Sequence, residues 1–202
     1  MTRNALIIFQ KNFVLGNVKT RIAKDIGEEE ALRLYKWLVT KTLENCAEIE
    51  SEKFIYYSDN LEDTPNEYEG KVQIGNDLGE RMSNAFSEVF RCGYDRVVII
   101  GTDCHSLNNE IIQDAFAALE EHDYVIGPSE DGGYYLLGMK KFSNVPFERM
   151  TWSHRDVLTE TLKRIGTDSV KQLRVLNDID NKEDLLKSGL GLLVNEVLML
   201  TI

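Results

Sequence analysis

Short apolar runs alternate with longer stretches of helical periodicity along most of this sequence, and that alternation restricts the chain to a mostly parallel sheet covered by helices on both faces. Ala5-Leu6-Ile7-Ile8-Phe9 is a continuous apolar run and predicts a buried strand over Asn4 to Phe9 that ends in a polar loop. Ala31, Leu34, Tyr35, Leu38, Val39 and Leu43 recur at helical spacing behind Glu28 to Glu30, acids that favour the positive end of a helix dipole. The same reading gives a strand at Phe54 to Tyr57, an acidic surface loop from Asp59 to Gly70 and a short strand at Lys71 to Ile74. A helix follows, with Leu78, Met82, Ala85, Phe86, Val89 and Phe90 on its apolar face. Val97 to Ile100 and Tyr124 to Ile126 read as strands on either side of a helix from Asn108 to Glu121. Beyond them, Tyr134 to Met139 and Val170 to Leu176 read as extended, and Asp156 to Ile165 and Lys182 to Lys187 as helical. Parallel neighbours need crossovers, and crossovers are right-handed, so the expected fold is α/β, a three-layer sandwich with a mostly parallel central sheet. The 202 residues suit a single domain spanning 1–202.

The net charge of -11 argues against a nucleic-acid partner, whose phosphates are bound through lysines and arginines. The charge is uneven, however. Residues 1–43 carry eight basic side chains against four acidic ones, so the anion-seeking end is the N-terminal one and a small polyanion suits it better than a long one. Cys46, Cys92 and Cys104 are odd in number and lack a C-x-x-C spacing, which points to reduced thiols rather than disulfides or a zinc ribbon. No apolar run approaches the ~20 residues of a membrane span and the first residues do not resemble a signal peptide, so a cytoplasmic location and no membrane partner are expected. The apolar segment Leu190 to Ile202 reads either as core packing or as a dimer contact, which leaves monomer and homodimer open.

Ligands of doubly covered parallel sheets collect at the carboxyl ends of the strands, and the unusual residues of this sequence fall there. Gly16 can admit a phosphate to the backbone, Lys19 and Arg21 supply a point charge and a planar fork for phosphate oxygens, and Thr20 lies between them; the alternative is an ordinary basic loop at a helix start. Asp103, at the end of the strand Val97 to Ile100, suits Mg2+ beside a phosphate, since the helix cap nearby is more naturally Asn108. Asp178 and Asp180 stand two apart in an extended segment, and alternation points them to one side, where with Asp103 they would complete a carboxylate set; Asp180-Asn181 is also a helix-start signature. Asp131-Gly132-Gly133 reads on its own as a hairpin turn, and Trp152 as packing or as a surface for a base or sugar.

Taken together, these segments carry a resemblance. Phe9-x-Lys11-x4-Gly16-x-Val18-Lys19-Thr20-Arg21, Gln73-x-Gly75-x-Asp77-Leu78-Gly79-Glu80-Arg81-Met82, Ile100-Gly101-Thr102-Asp103-Cys104, Gly127-Pro128-x2-Asp131-Gly132-Gly133-Tyr134-Tyr135-Leu136-Leu137-Gly138 and Asp178-Ile179-Asp180-x2-Glu183-Asp184-Leu185 resemble a bacterial family of GT-A-fold transferases. Its members are commonly labelled glycosyltransferases, some linked to arsenosugar biosynthesis. More distantly the chain is similar to the molybdenum-cofactor and 2-phospholactate guanylyltransferases of the nucleotide-diphosphosugar transferase superfamily. The resemblance implies that Gly16, Lys19 and Arg21 hold phosphates, that Asp103 and Asp180 bind the metal, that Gln73 and the Gly79 loop lie near the base, and that Asp131 to Gly133 face the acceptor. Gln10, Phe13, Leu15 and Asn17 depart from the family's first loop, which usually reads A-K-x-P-x-P-G-R, and His105 replaces the proline that usually follows T-D-C.

The leading expectation is nucleotidyl transfer from a nucleoside triphosphate to a small phosphate- or hydroxyl-bearing acceptor, with Mg2+ or Mn2+ on Asp103 and Asp180 and with Lys19 and Arg21 neutralising the leaving pyrophosphate. The alternatives are glycosyl transfer from a nucleotide sugar through the same groups, and a nucleotide-binding domain without catalysis.

Overall fold

The computed structural model describes residues 2–166 and 169–190. In chain order they form β1 (Asn4–Gln10), α1 (Thr20–Ile26), α2 (Glu28–Cys46), β2 (Glu52–Tyr57), β3 (Glu69–Val72), α3 (Leu78–Arg91), β4 (Arg96–Ile100), α4 (Asn109–Glu121), β5 (Tyr124–Pro128), β6 (Tyr134–Met139), α5 (Val157–Ile165), β7 (Val170–Gln172) and α6 (Lys182–Lys187). The strands make one sheet in the order β3-β2-β1-β4-β6-β5-β7. All its pairings are parallel except those of β6, which runs antiparallel to both β4 and β5. The exception has a local cause: residues 129–133 are too few to carry the chain back across the sheet, so β5 and β6 close as a hairpin.

The centre of the sheet is covered on both faces. Ala5, Leu6, Ile7 and Ile8 of β1 are fully buried, and their alternation divides them between two cores. Leu6 and Ile8 pack with Val98, Ile100 and the α4 residues Ile111, Ile112 and Ala115, while Ala5 and Ile7 pack with Val97, Ile99 and the α3 residues Met82, Ala85, Phe86 and Val89. Each of the larger side chains among them contributes about 1.5–3 kcal/mol of transfer free energy, which is why the strands read as unbroken apolar runs. The result is the three-layer α/β fold with a mostly parallel sheet. A third cluster of Ile22, Leu34, Leu38, Ile179, Leu185 and Leu190 binds α1, α2 and α6 together beside the carboxyl edge.

Asn108 is the cap of α4, its side chain accepting the Ile111 amide at 3.1 Å, so Asp103 is free of that task. Other boundaries differ from expectation. The short strand lies at Glu69–Val72, two residues ahead of the predicted one, and takes over the end of the predicted acidic loop. Residues 20–26 form a separate helix, which Gly27 at φ 92° divides from α2, so Thr20 and Arg21 sit on a first helical turn and not in a loop. Seven residues with one fully buried side chain, Ile22, are too few for a periodic signal. The extended segment near 170 is a strand only to Gln172, although Leu176 still bridges Ser129. Of the apolar tail, Leu190 packs into the third cluster and residues 191–202 lie outside the described residues.

Gly138 stands mid-strand in β6, and a Cβ there would meet Val125 Cγ1 at 2.6 Å and Val98 Cγ2 at 3.0 Å. Gly138→Ala is therefore expected to lower unfolding stability by about 1–3 kcal/mol in denaturant titration. An unchanged midpoint would show that β4 and β5 can part at no cost.

Candidate active site

Three loops at the carboxyl edge converge on the side chain of Lys19. The chain leaves β1 at Gln10 and is pinned at once: the Tyr35 hydroxyl accepts the Lys11 amide at 2.8 Å and lies 3.0 Å from the Thr102 hydroxyl, tying the first loop to the one after β4. Asn12, buried, laces the same loop to the segment after β2, accepting the Asp59 amide at 2.8 Å and donating to the Asn60 carbonyl at 2.7 Å. Lys19 itself takes a left-handed conformation at φ 48°, ψ 39° immediately before α1, uncommon for a side-chain-bearing residue.

That backbone directs the ammonium inward. Lys19 Nζ lies 2.6 Å from Asp103 Oδ1, 2.6 Å from the Ile179 carbonyl and 3.3 Å from Asp180 Oδ1, with its side chain only 3% exposed. Burial opposes its charge, but Asp103 and Asp180 overcome that effect and hold the pKa above the ordinary lysine value. Asp103 Oδ1 is itself buried, and the Lys19 ammonium is the charge that faces it. Asp180 is oriented from behind. Its amide and that of Asn181 both donate to Asp184 Oδ2 at 3.1 Å, while Asn181 caps α6 through the Asp184 amide, so the helix start uses Asn181 and Asp184 and leaves the Asp180 carboxylate to Lys19.

Asp180 is also on the wall of a cleft of about 420 Å³ that opens between the strand ends, the β5–β6 hairpin and the segment from Trp152 to Val157. Arg21, Asp131, Gly133, Trp152 and Asp178 line it as well. Asp178 accepts from the Ser129 hydroxyl at 3.1 Å, and its pKa is pushed up to about 7, chiefly by burial and then by the charges of Asp103, Asp180 and Asp131. Alternation does bring Asp178 and Asp180 to one cleft, with different partners. The Asp131 side chain closes the hairpin turn by accepting the Gly133 amide at 2.9 Å. Gly132, at φ 90°, docks that turn: a Cβ there would overlap the Arg155 carbonyl, and its own carbonyl accepts the Leu158 amide at 2.9 Å. Trp152 packs across Gly79, where a Cβ would stand 2.6 Å from the indole, and edge-on to Tyr134.

The remaining expected residues lie elsewhere. Gln73 donates to the Tyr56 carbonyl at 2.8 Å and stitches strand ends together, outside the cleft lining. Gly79 is covered by Trp152, and Gly16 faces the Glu28 carboxylate, at 3.4 Å from the position of a Cβ. Thr20 is exposed at the start of α1. Lys19 and Arg21 are separated, the first buried among carboxylates and the second exposed at the cleft. Sequence reasoning missed Ser153, His154 and Arg155 on the cleft wall; Ser153 has φ 64°, and His154 Nδ1 accepts the Asp156 amide at 3.2 Å while its buried Nε2 has no partner. Scattered histidines carry no spacing signal, so nothing in the sequence marked them. Cys104 is buried with its thiol pushed up to about 12 by burial, which suits a packing role.

Hard oxygens around a buried cation, two of them from carboxylates, fit a divalent ion of the Mg2+ or Mn2+ kind. Among the described residues no three His, Cys, Asp or Glu side chains converge into a cage made by the protein alone. Two carboxylates completed by water and substrate phosphate is the usual arrangement for Mg2+.

A family model described as uncharacterized proteins conserved in bacteria, DUF2064, matches residues 46–154, more than half of the chain. The chain belongs to that family. A candidate nucleotide-diphospho-sugar transferase from Desulfovibrio desulfuricans is similar in structure at a TM-score of 0.85 with 29% identity, over 98% of this chain and 99% of that one. The fold recurs at low identity in 4-diphosphocytidyl-2C-methyl-D-erythritol synthase from Anaerococcus prevotii (TM-score 0.62, 11% identity, 95% of this chain and 96% of that one). It recurs again in glucosyl-3-phosphoglycerate synthase from Mycobacterium tuberculosis, solved with Mn2+ and uridine-diphosphate-glucose (TM-score 0.55, 12% identity, 98% of this chain and 77% of that one). No curated protein matches the chain. The fold is thus that of nucleotide-diphospho-sugar transferases and nucleotidyltransferases, and no described helix is long and apolar enough to cross a membrane.

Docking of the hairpin is open to test. Gly132→Ala is expected to push the turn off Arg155, speed amide exchange at Leu158 and cost about 1–3 kcal/mol of stability, the scale of a strained backbone site. Unchanged protection of Leu158 would refute the docked arrangement.

Proposed function

We propose that this protein is a metal-dependent transferase that binds nucleotide phosphates beside Lys19 and catalyses nucleotidyl transfer from a nucleoside triphosphate to a small phosphate- or hydroxyl-bearing acceptor. The observation that carries the reading is the oxygen-lined cation position formed by Asp103, Asp180 and the Ile179 carbonyl, at the edge of the cleft where folds of this kind bind ligands. Asp103 and Asp180 are the groups to hold the ion. When bound, a divalent ion of this kind supplies Lewis-acid neutralisation of phosphate charge.

Lys19 and Arg21 take the negative charge that grows on the leaving group, the first as a point charge buried behind Asp180 and the second as an exposed fork at the cleft wall. The Asp131–Gly133 turn and Trp152 shape the acceptor side, and the 153–155 segment opposite the strand ends narrows it. An in-line attack needs no covalent intermediate, so positioning and electrostatics provide the acceleration. Likeness along the full chain to the candidate nucleotide-diphospho-sugar transferase favours one second reading, glycosyl transfer, in which the same groups stabilise a departing nucleoside diphosphate.

Thermal-shift panels of nucleoside triphosphates and nucleotide sugars, with and without Mg2+ or Mn2+, distinguish the two. Metal-dependent stabilisation by triphosphates is expected; stabilisation by nucleotide sugars alone would transfer the assignment to glycosyl transfer, and none from either would remove both. With the active donor in hand, Asp103→Asn is expected to cost on the order of 10²-fold or more in turnover. Near-normal turnover would mean that the ion, or the chemistry, is elsewhere.

A further inference from the structure

The ammonium of Lys19 occupies the position that the metal-dependent reading requires for a divalent ion. Three oxygens surround Nζ, at 2.6 Å from Asp103 Oδ1, 2.6 Å from the Ile179 carbonyl and 3.3 Å from Asp180 Oδ1. We infer that Lys19 and the divalent ion are alternative occupants of this one oxygen site, so that metal enters as nucleotide phosphate draws the lysine out. The inference rests on the metal-dependent reading of the same site.

Three observations lead to it. The cation and the carboxylates are the same groups that the proposed catalysis needs, and a second cation on Asp103 Oδ1 would stand against an ammonium that already lies 2.6 Å from that oxygen and is 3% exposed. Charge balance comes next. Asp103 and Asp180 set two carboxylates on a single lysine, so the centre carries surplus negative charge that a doubly charged ion balances better. Finally, Arg21, two residues on, lines the cleft in which phosphates are proposed to bind, so a phosphate held there would be the anion that replaces the carboxylates as partner of the lysine. Lysine suits the exchange: its ammonium is a point charge on a flexible four-carbon stem, so it can swing between carboxylates and phosphate by side-chain rotation alone.

Metal and nucleotide would then bind with strong positive coupling, each raising the affinity for the other. Metal alone would bind weakly, since it must first evict a paired lysine. The mechanism thereby ties the ion to its substrate and keeps the carboxylates neutralised in between.

The test uses the full chain, Mn2+ alone as the probe and no nucleotide. Binding is read by the loss of the free Mn2+ paramagnetic resonance signal for the wild type and for Lys19→Met. The variant is expected to bind Mn2+ at least ten-fold tighter. In the wild type, saturating Mn2+ is expected to raise the labelling of Lys19 by an amine-reactive reagent, read by peptide mass spectrometry, a measurement that holds even if the variant fails to fold. Equal or weaker Mn2+ binding by a folded Lys19→Met, or unchanged Lys19 labelling at saturating Mn2+, overturns the exchange while leaving the metal site in place. Absence of Mn2+ binding by both proteins at millimolar concentration overturns the exchange and the metal-dependent reading together, and loss of wild-type binding in Asp103→Asn places the bound ion at this centre.

Discussion

The carboxyl edge of this protein is organised by one buried charge. Lys19 joins three segments that are far apart in sequence, the loop after β1, the loop after β4 and the strand-like run before α6, through Asp103, Asp180 and the Ile179 carbonyl. The Ile179 amide donates in turn to the Asp103 carbonyl at 3.0 Å, so the last two segments are bonded to each other as well as to the lysine. A buried ammonium without these partners would be far too costly to keep charged, and the carboxylates are 39% and 43% exposed, so water screens part of the attraction. The centre is thus better understood as a device that fixes three loops in one place than as a large contribution to stability.

The sheet decides why those loops meet. Six strands that point one way bring their carboxyl ends to a common edge, and the single reversed strand, β6, inserts between β4 and β5 and sets its hairpin turn at that same edge. Asp131 therefore arrives at the cleft as part of a turn closed by its own side chain, and Gly132 locks the turn to Arg155. A helical crossover in place of the hairpin would have carried the chain to the opposite edge before the next strand, and the cleft would lack that wall.

Much of this was legible from the residues. Strands buried on both faces must be continuously apolar, so β1 and β4 were visible, and Asn108 as the cap of α4 left Asp103 with no structural duty. Asp178 and Asp180 were marked by alternation, which survives in the irregular run before α6. What the sequence could not carry was the direction of Lys19. A basic residue near a glycine reads as exposed, and its burial depends on a left-handed backbone and on oxygens more than eighty residues away in the chain. Gln73 shows a second kind of information that the sequence did not carry, since its Nε2 donates to the Tyr56 carbonyl and joins the ends of strands. Helix α1 escaped because a seven-residue segment with one fully buried side chain has no period to detect.

The choice of lysine at the centre follows from the shape of its surroundings. Three oxygens surround Nζ, one from Asp103 and two from the neighbouring residues Ile179 and Asp180, a set that a compact ammonium with three rotatable donors can satisfy. A guanidinium would offer a planar fork suited to two parallel oxygens of one carboxylate, and its width would force the loops apart. The position therefore selects a small cation of high charge density bound by hard oxygens, which is also the description of a divalent metal site. Arg21, two residues on, stands instead exposed on the cleft wall. Two basic residues that sit two apart in one motif thus differ in surroundings for a geometric reason: the fold turns Lys19 toward two carboxylates and leaves Arg21 exposed on the cleft wall.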